Sequence, residues 1–160
     1  KYPESVKALS DAGHEVMNHS NTHAHYPQLT ADEVIADLNA CNDKIEAVTG
    51  VRPTLVRMPY GDYDDKSVQA ARSIGMEPIQ WDVDSLDWKE IPADEITQRV
   101  TSKVGPGSIV LFHNAALHTP EALPSILEQL TQEGYTFVPI SQLILTGNYS
   151  IDHTGRQCPC

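Results

Sequence analysis

Apolar residues recur along this chain with two different periods, and the two alternate. Val34, Leu38, Cys41, Ile45 and Val48 return every three or four positions, which is the spacing of one helix face. Thr30-Ala31-Asp32-Glu33, just ahead of them, has the form of a capping box. In it the Thr30 hydroxyl and the Glu33 carboxylate each take a free backbone N–H. Gly50 marks the end of that helix. The same reading predicts helices over 5–12, 65–73, 93–103 and 120–132, with Gly13, Gly75, Gly105 and Gly134 behind them. Extended runs fall between, at 15–18, 54–56, 77–83, 108–112 and 135–138. Ser108 to Phe112 is apolar almost throughout, as in a strand buried on both faces. Such alternation predicts an α/β fold with parallel strands. It gives one domain over 1–146, followed by a loose tail over 147–160. There is no internal repeat and no low-complexity segment.

Polar clusters punctuate the predicted strand ends. His19-Ser20-Asn21-Thr22-His23 follows the first strand, and Arg57-Met58-Pro59-Tyr60 follows the second. Asp84-Ser85-Leu86-Asp87-Trp88 follows the third, and His113 closes the fourth. In parallel α/β folds the C-terminal strand ends share one rim, where active sites form, so these clusters are expected to converge. Each has a chemical use. Two imidazoles four residues apart can hold one metal ion if the segment turns like a helix. Such an ion would acidify a bound water and polarise a carbonyl. A further His beside an Asp suits a general acid with a charged partner. Arg57 can orient a carboxylate, and a backbone N–H beside Pro59 can help hold an oxyanion.

Singly, each cluster has a plainer reading. Arg57 is then a solvated loop residue, the Asp-rich turn over 82–87 makes Asx-turns or caps a helix, and His113 is a hydrogen-bonded core histidine. Four clusters on one predicted rim reverse that judgement.

Composition narrows the partners. A net charge of −11 disfavours nucleic acid, whose phosphates it would repel. No apolar run approaches the roughly 20 residues of a membrane span. The chain's 160 residues suffice for one domain with a real core. Cys41 lies on the apolar helix face as a small core residue. For Cys158 and Cys160 a disulfide, a soft-metal pair or no role are all open, and the odd count leaves the redox compartment open too.

H-S-N-T-H, R-M-P-Y-G, D-S-L-D-W and L-F-H, in that order, closely resemble four of the five motifs of NodB-type polysaccharide deacetylases, carbohydrate esterase family 4. Gly13-His14-Glu15-Val16 fits as well, and the resemblance runs from about Tyr2 to Leu145. It implies a distorted (β/α) barrel. It also implies a divalent metal, usually zinc, on His19 and His23, with His113 as the acid that protonates the departing amine. Asp87 would pair with His113, and Tyr60, next to Pro59, would give its backbone N–H to the oxyanion. Trp88 and Leu111 would line the acetyl-methyl pocket, and Arg57 would position the catalytic base. The implied reaction is N-deacetylation of an N-acetylglucosamine polysaccharide, peptidoglycan or chitin-like, by an exported or envelope protein.

The family's first motif, T-F-D-D-G, supplies the base and a third metal ligand, both Asp. No such string precedes His19, where the acids are Glu4, Asp11 and Glu15. The expectation is therefore a deacetylase domain without its first strands. It would be a fragment, a site completed by another chain or segment, or a non-catalytic glycan-binding relative. A hydrolase of a different C–N bond on the same scaffold is a further alternative. His25 is expected to be an accidental neighbour rather than an auxiliary metal contact. His14, His118 and His153 are expected to be structural or surface residues.

Overall fold

The computed structural model describes residues 2–160, and the chain divides into two compact units, 1–80 and 81–160. The first unit begins with helix α1 (Pro3–Asp11), which packs beside α2 (Ala31–Thr49). The capping box is present at the start of α2. Thr30 Oγ1 accepts from the Glu33 N–H, and the Glu33 carboxylate accepts from the Thr30 N–H. Gly50 ends the helix at φ 77°, a left-handed setting that costs a residue without Cβ little. Strand β1 (Leu55–Val56) pairs in parallel with β2 (Glu77–Pro78), with α3 (Asp65–Ser73) between them. Asn18 joins β1 through a single parallel bridge to Val56. Tyr26, Val34, Leu38, Val56, Met58, Ala70, Ala71 and Met76 form the core of this unit. Replacing Thr30 by alanine removes a cap and should cost about 1 kcal/mol, read as a lower urea midpoint with unchanged slope.

The second unit repeats the scheme. Strand β3 (Val83–Asp84) pairs in parallel with β4 (Val110–Leu111), with α4 (Ala93–Thr101) between them in sequence. Helix α5 (Thr119–Gln132) packs on α4. Val83, Ile96, Val100, Ala122, Ile126 and Leu130 form the core, with Phe112 and Tyr135 packed against it.

Three expectations change. The run 77–83 is two short strands rather than one. Pro78 has no N–H to donate, and β2 pairs with β1 whereas β3 pairs with β4. No strand forms over 135–138 among the described residues. Tyr135 instead packs inward and donates its hydroxyl to the Val104 carbonyl at 3.2 Å. Phe137 and Val138 stay exposed, and the short helix α6 (Ile140–Leu143) follows. The segment after Gly147, expected to be loose, is an antiparallel hairpin of β5 (Tyr149–Ile151) and β6 (Gln157–Pro159). Asp152 organises its turn, accepting from the Thr154 hydroxyl and from the Thr154 and Arg156 N–H groups, which hold its carboxyl down at about 2. Arg156 Nη2 reaches back to the Pro106 carbonyl at 2.6 Å. Among the described residues no helix is long and apolar enough to cross a membrane.

Candidate functional site

Parallel pairing decides which of the expected residues meet. In the first unit, Asn18 and Val56 run side by side, so His19 and Arg57 leave at the same end. His19 Nδ1 lies 2.8 Å from the Arg57 carbonyl oxygen. A carbonyl only accepts, so Nδ1 carries the proton and Nε2 presents the lone pair a metal would need. The His19 and His23 rings stand edge to face with centroids 5.0 Å apart. The segment between them is no helix. Ser20 at φ 72° and His23 at φ 57° are both left-handed, at roughly 1 kcal/mol each for residues with a Cβ.

Asp37 on α2 holds this loop. Its carboxylate accepts from the Ser20 hydroxyl (2.6 Å), the Asn21 N–H (2.8 Å), the Thr22 N–H (3.0 Å) and hydroxyl (2.7 Å), and the Tyr26 hydroxyl (2.8 Å). It is only 8% exposed. Burial alone would push this carboxyl up, but the donors, led by Ser20 and Thr22, outweigh it and hold it below the ordinary carboxylate value. Burial also pushes the Tyr26 hydroxyl up, so it remains a donor. Asn18, buried beneath, accepts from the Ser20 N–H and donates to Asn42 and the Leu38 carbonyl. Sequence reasoning missed Asp37. Its signal was a carboxylate at three residues from Val34 on the apolar stripe, where only a set of donors would tolerate it.

Arg57 is partly buried, which lowers its guanidinium from the usual value. Pro59 is buried in the 3₁₀ turn Pro59–Gly61, and Tyr60, 60% exposed, stands there at φ 61°. Its ring touches His23 edge-on and lies flat on His25. His25 in turn meets Asp62 at 2.9 Å. His25 is thus tied into the Arg57–Asp62 segment, against the expectation of an accidental neighbour. Cys41 is half-buried against the loop; burial raises its thiol, opposed by the His19 N–H.

The second unit brings Asp87, Trp88, Leu111 and His113 to one end of the β3–β4 pair. Asp87 is fully buried, with one carboxylate oxygen 2.8 Å from His113 Nδ1. Its other oxygen accepts from the His113 N–H (2.9 Å) and the Thr119 hydroxyl (2.6 Å). Burial opposes its ionisation, but Thr119 and both His113 donors hold the carboxyl below its ordinary value. His113 Nδ1 is therefore a donor, and Nε2 is the nitrogen left for chemistry. Trp88, 54% exposed, stands edge-on to the His113 ring at 6.4 Å, with Lys89 Nζ over its face at 5.3 Å. Leu111 is buried in β4. The plainer reading holds for Asp84, which makes an Asx-turn to the Leu86 N–H, whereas Asp82 accepts from the Ser108 hydroxyl and the Ile109 N–H across the β3–β4 pair. Thr119 is a further site residue that sequence reasoning passed over.

His14 and His153 are exposed, and His118 stands at the start of α5, 3.6 Å from Glu121. Cys41, Cys158 and Cys160 are free thiols. Among the described residues no three His, Cys, Asp or Glu side chains could hold a metal ion. His19 and His23 fit two ligand positions, and the described residues supply no third.

Comparison with known proteins now bears on this geometry. A family model described as polysaccharide deacetylase matches residues 1–79. The solved structure of the peptidoglycan deacetylase PdaC from Bacillus subtilis is 37% identical, with a TM-score of 0.79 over 89% of this chain and 69% of that one. This chain belongs to the polysaccharide deacetylase family. The curated PdaC sequence, a peptidoglycan-N-acetylmuramic acid deacetylase, is 37% identical over 142 residues, covering 89% of this chain and 30% of the relative. A peptidoglycan-N-acetylglucosamine deacetylase of Bacillus cereus is 29% identical over 91% of this chain and 54% of its own length. A carbohydrate esterase family 4 pseudoenzyme from Bacillus anthracis is 37% identical with a TM-score of 0.85, over 89% of this chain and 50% of that one. The chain thus spans about a third to a half of these curated relatives. The α/β fold expected of this polysaccharide deacetylase, of the distorted (β/α)-barrel type, is borne out by these structures.

Proposed function

We propose that this polysaccharide deacetylase chain serves the hydrolysis of N-acetyl groups on an N-acetylglucosamine-containing cell-wall polysaccharide, releasing acetate and leaving a free amine. The observation that carries the reading is the Asp87–His113 pair, with a buried carboxylate clamping both the ring and the backbone of His113. Water adds to the acetamide carbonyl, and the C–N bond then breaks only if the nitrogen is protonated as it leaves. His113 Nε2 gives that proton while Asp87 keeps Nδ1 as a donor. The Tyr60 backbone N–H stabilises the oxyanion, Trp88 and Leu111 enclose the methyl group, and Arg57 orients the base. His19 and His23 hold a divalent ion, zinc first, which when bound polarises the carbonyl and acidifies the water. The third ligand and the base come from outside the described residues. The protein acts on the wall side of the membrane.

A second reading, a glycan-binding module without hydrolysis, has one observation in its favour: the described residues hold no three-ligand metal set. The test is acetate release from N-acetylglucosamine oligomers by the natural protein, with added zinc and with a chelator. Zinc-dependent release is expected. Oligomer binding without release would overturn the enzymatic reading in favour of the module. Zinc uptake by the 160 residues, followed by calorimetry, checks the His19–His23 pair independently of turnover.

A further inference from the structure

Tyr60 does not suit its own backbone. It sits at φ 61° and ψ 4°, ahead of Gly61 at φ 66°, in a region that side chains with a Cβ rarely adopt. Such a setting persists only when tertiary contacts over-determine it. Hydrophobic burial is not the cause, because the residue is mostly exposed. The contacts are to two imidazoles. The His25 ring lies flat against the phenol at 4.0 Å with 9° between planes, and the His23 ring meets it edge-on at 4.6 Å. His25 is anchored by Nδ1 to Asp62 Oδ2 at 2.9 Å. The chain from Tyr60 through Gly61 to Asp62 then closes a ring back to the stacked histidine. Gln80 Nε2 braces the same turn by donating to the Gly61 carbonyl at 2.8 Å.

We propose that His25 and Asp62 are positioning residues that clamp the Tyr60 ring and so fix its left-handed backbone, and with it the N–H offered to the oxyanion. The inference rests on the reaction proposed above. It also gives His25 a role that needs no metal, through Nδ1 on Asp62 and one ring face on Tyr60. A displaced donor weakens binding of the transition state more than that of the substrate.

The test is kinetics together with NMR on the natural protein. His25→Ala is expected to lower kcat about tenfold with KM changed less than about twofold. The Tyr60 ring signals should lose the ring-current shift of the stack, and the Tyr60 amide should move. Asp62→Ala should give the same pattern more weakly, and Asp62→Asn, which keeps an acceptor oxygen, should recover most of it. Unchanged Tyr60 signals in His25→Ala, or a rise in KM with kcat intact, would overturn the clamp. If the wild-type protein released no acetate, the reaction would be the part that failed, while the Tyr60 signals would still decide whether the clamp exists.

Discussion

Replacing His113 by alanine is expected to lower acetate release by the natural protein at least about a hundredfold, while zinc uptake stays unchanged. The size follows from the step at stake. An amide nitrogen leaves poorly unless it is protonated, and a positioned acid is worth roughly a hundred- to ten-thousandfold. Zinc uptake should survive because the His19–His23 pair is organised by Asp37 and the Arg57 carbonyl. The variant also leaves Asp87 with fewer donors in a fully buried place, although Thr119 and the residue 113 N–H remain. Some loss of thermal stability should therefore accompany the kinetic loss. A folded variant with wild-type turnover would remove His113 from the mechanism.

Replacing Asp37 by alanine should destabilise the protein by about 3 kcal/mol, because several polar groups in a partly buried loop lose their acceptor together. The loss should be local as well as global, since Ser20 and His23 keep left-handed backbones that these bonds maintain. Zinc uptake should weaken with it. The effect should depend on pH in a definite direction. The folded Asp37 carboxyl lies below its ordinary value, because the donors from Ser20 and Thr22 outweigh the opposing effect of burial. Its stabilisation is then complete above the unfolded value of about 4 and is lost as pH falls through the folded value. Urea midpoints of wild type and Asp37→Ala should therefore differ most near neutral pH and converge in acid. A constant difference across that range would show that the carboxylate charge is not what holds the loop.

The helices were legible because their signals are local. The Thr30 box, the 34–38–41 stripe and Gly50 define α2, and Gly75 marks the end of α3. The strands were only partly legible. An apolar run records willingness to pair, but pairing needs a neighbour, which Leu55, Val56, Val83 and Val110 have and 135–138 lack among the described residues. The pairing of Asp87 with His113 could be proposed from the resemblance to the deacetylase motifs, whereas the strand pattern alone placed an Asp-rich turn and a histidine at strand ends. Asp37, Thr119 and the His25–Asp62 contact could not, since each acts on a partner more than ten residues away that no periodicity points to.

Asn18 has a consequence beyond its place under the loop. It exchanges backbone bonds with the residues either side of Val56, taking the Leu55 carbonyl through its N–H and giving its own carbonyl to the Arg57 N–H. Its neighbour His19 is tied to the Arg57 carbonyl, so one bridged residue joins the His19 imidazole to the Arg57 backbone, far apart in sequence. Breathing of this bridge would displace the carbonyl that His19 Nδ1 bonds. Deuterium uptake at the Arg57 amide would then keep time for the His19 ring.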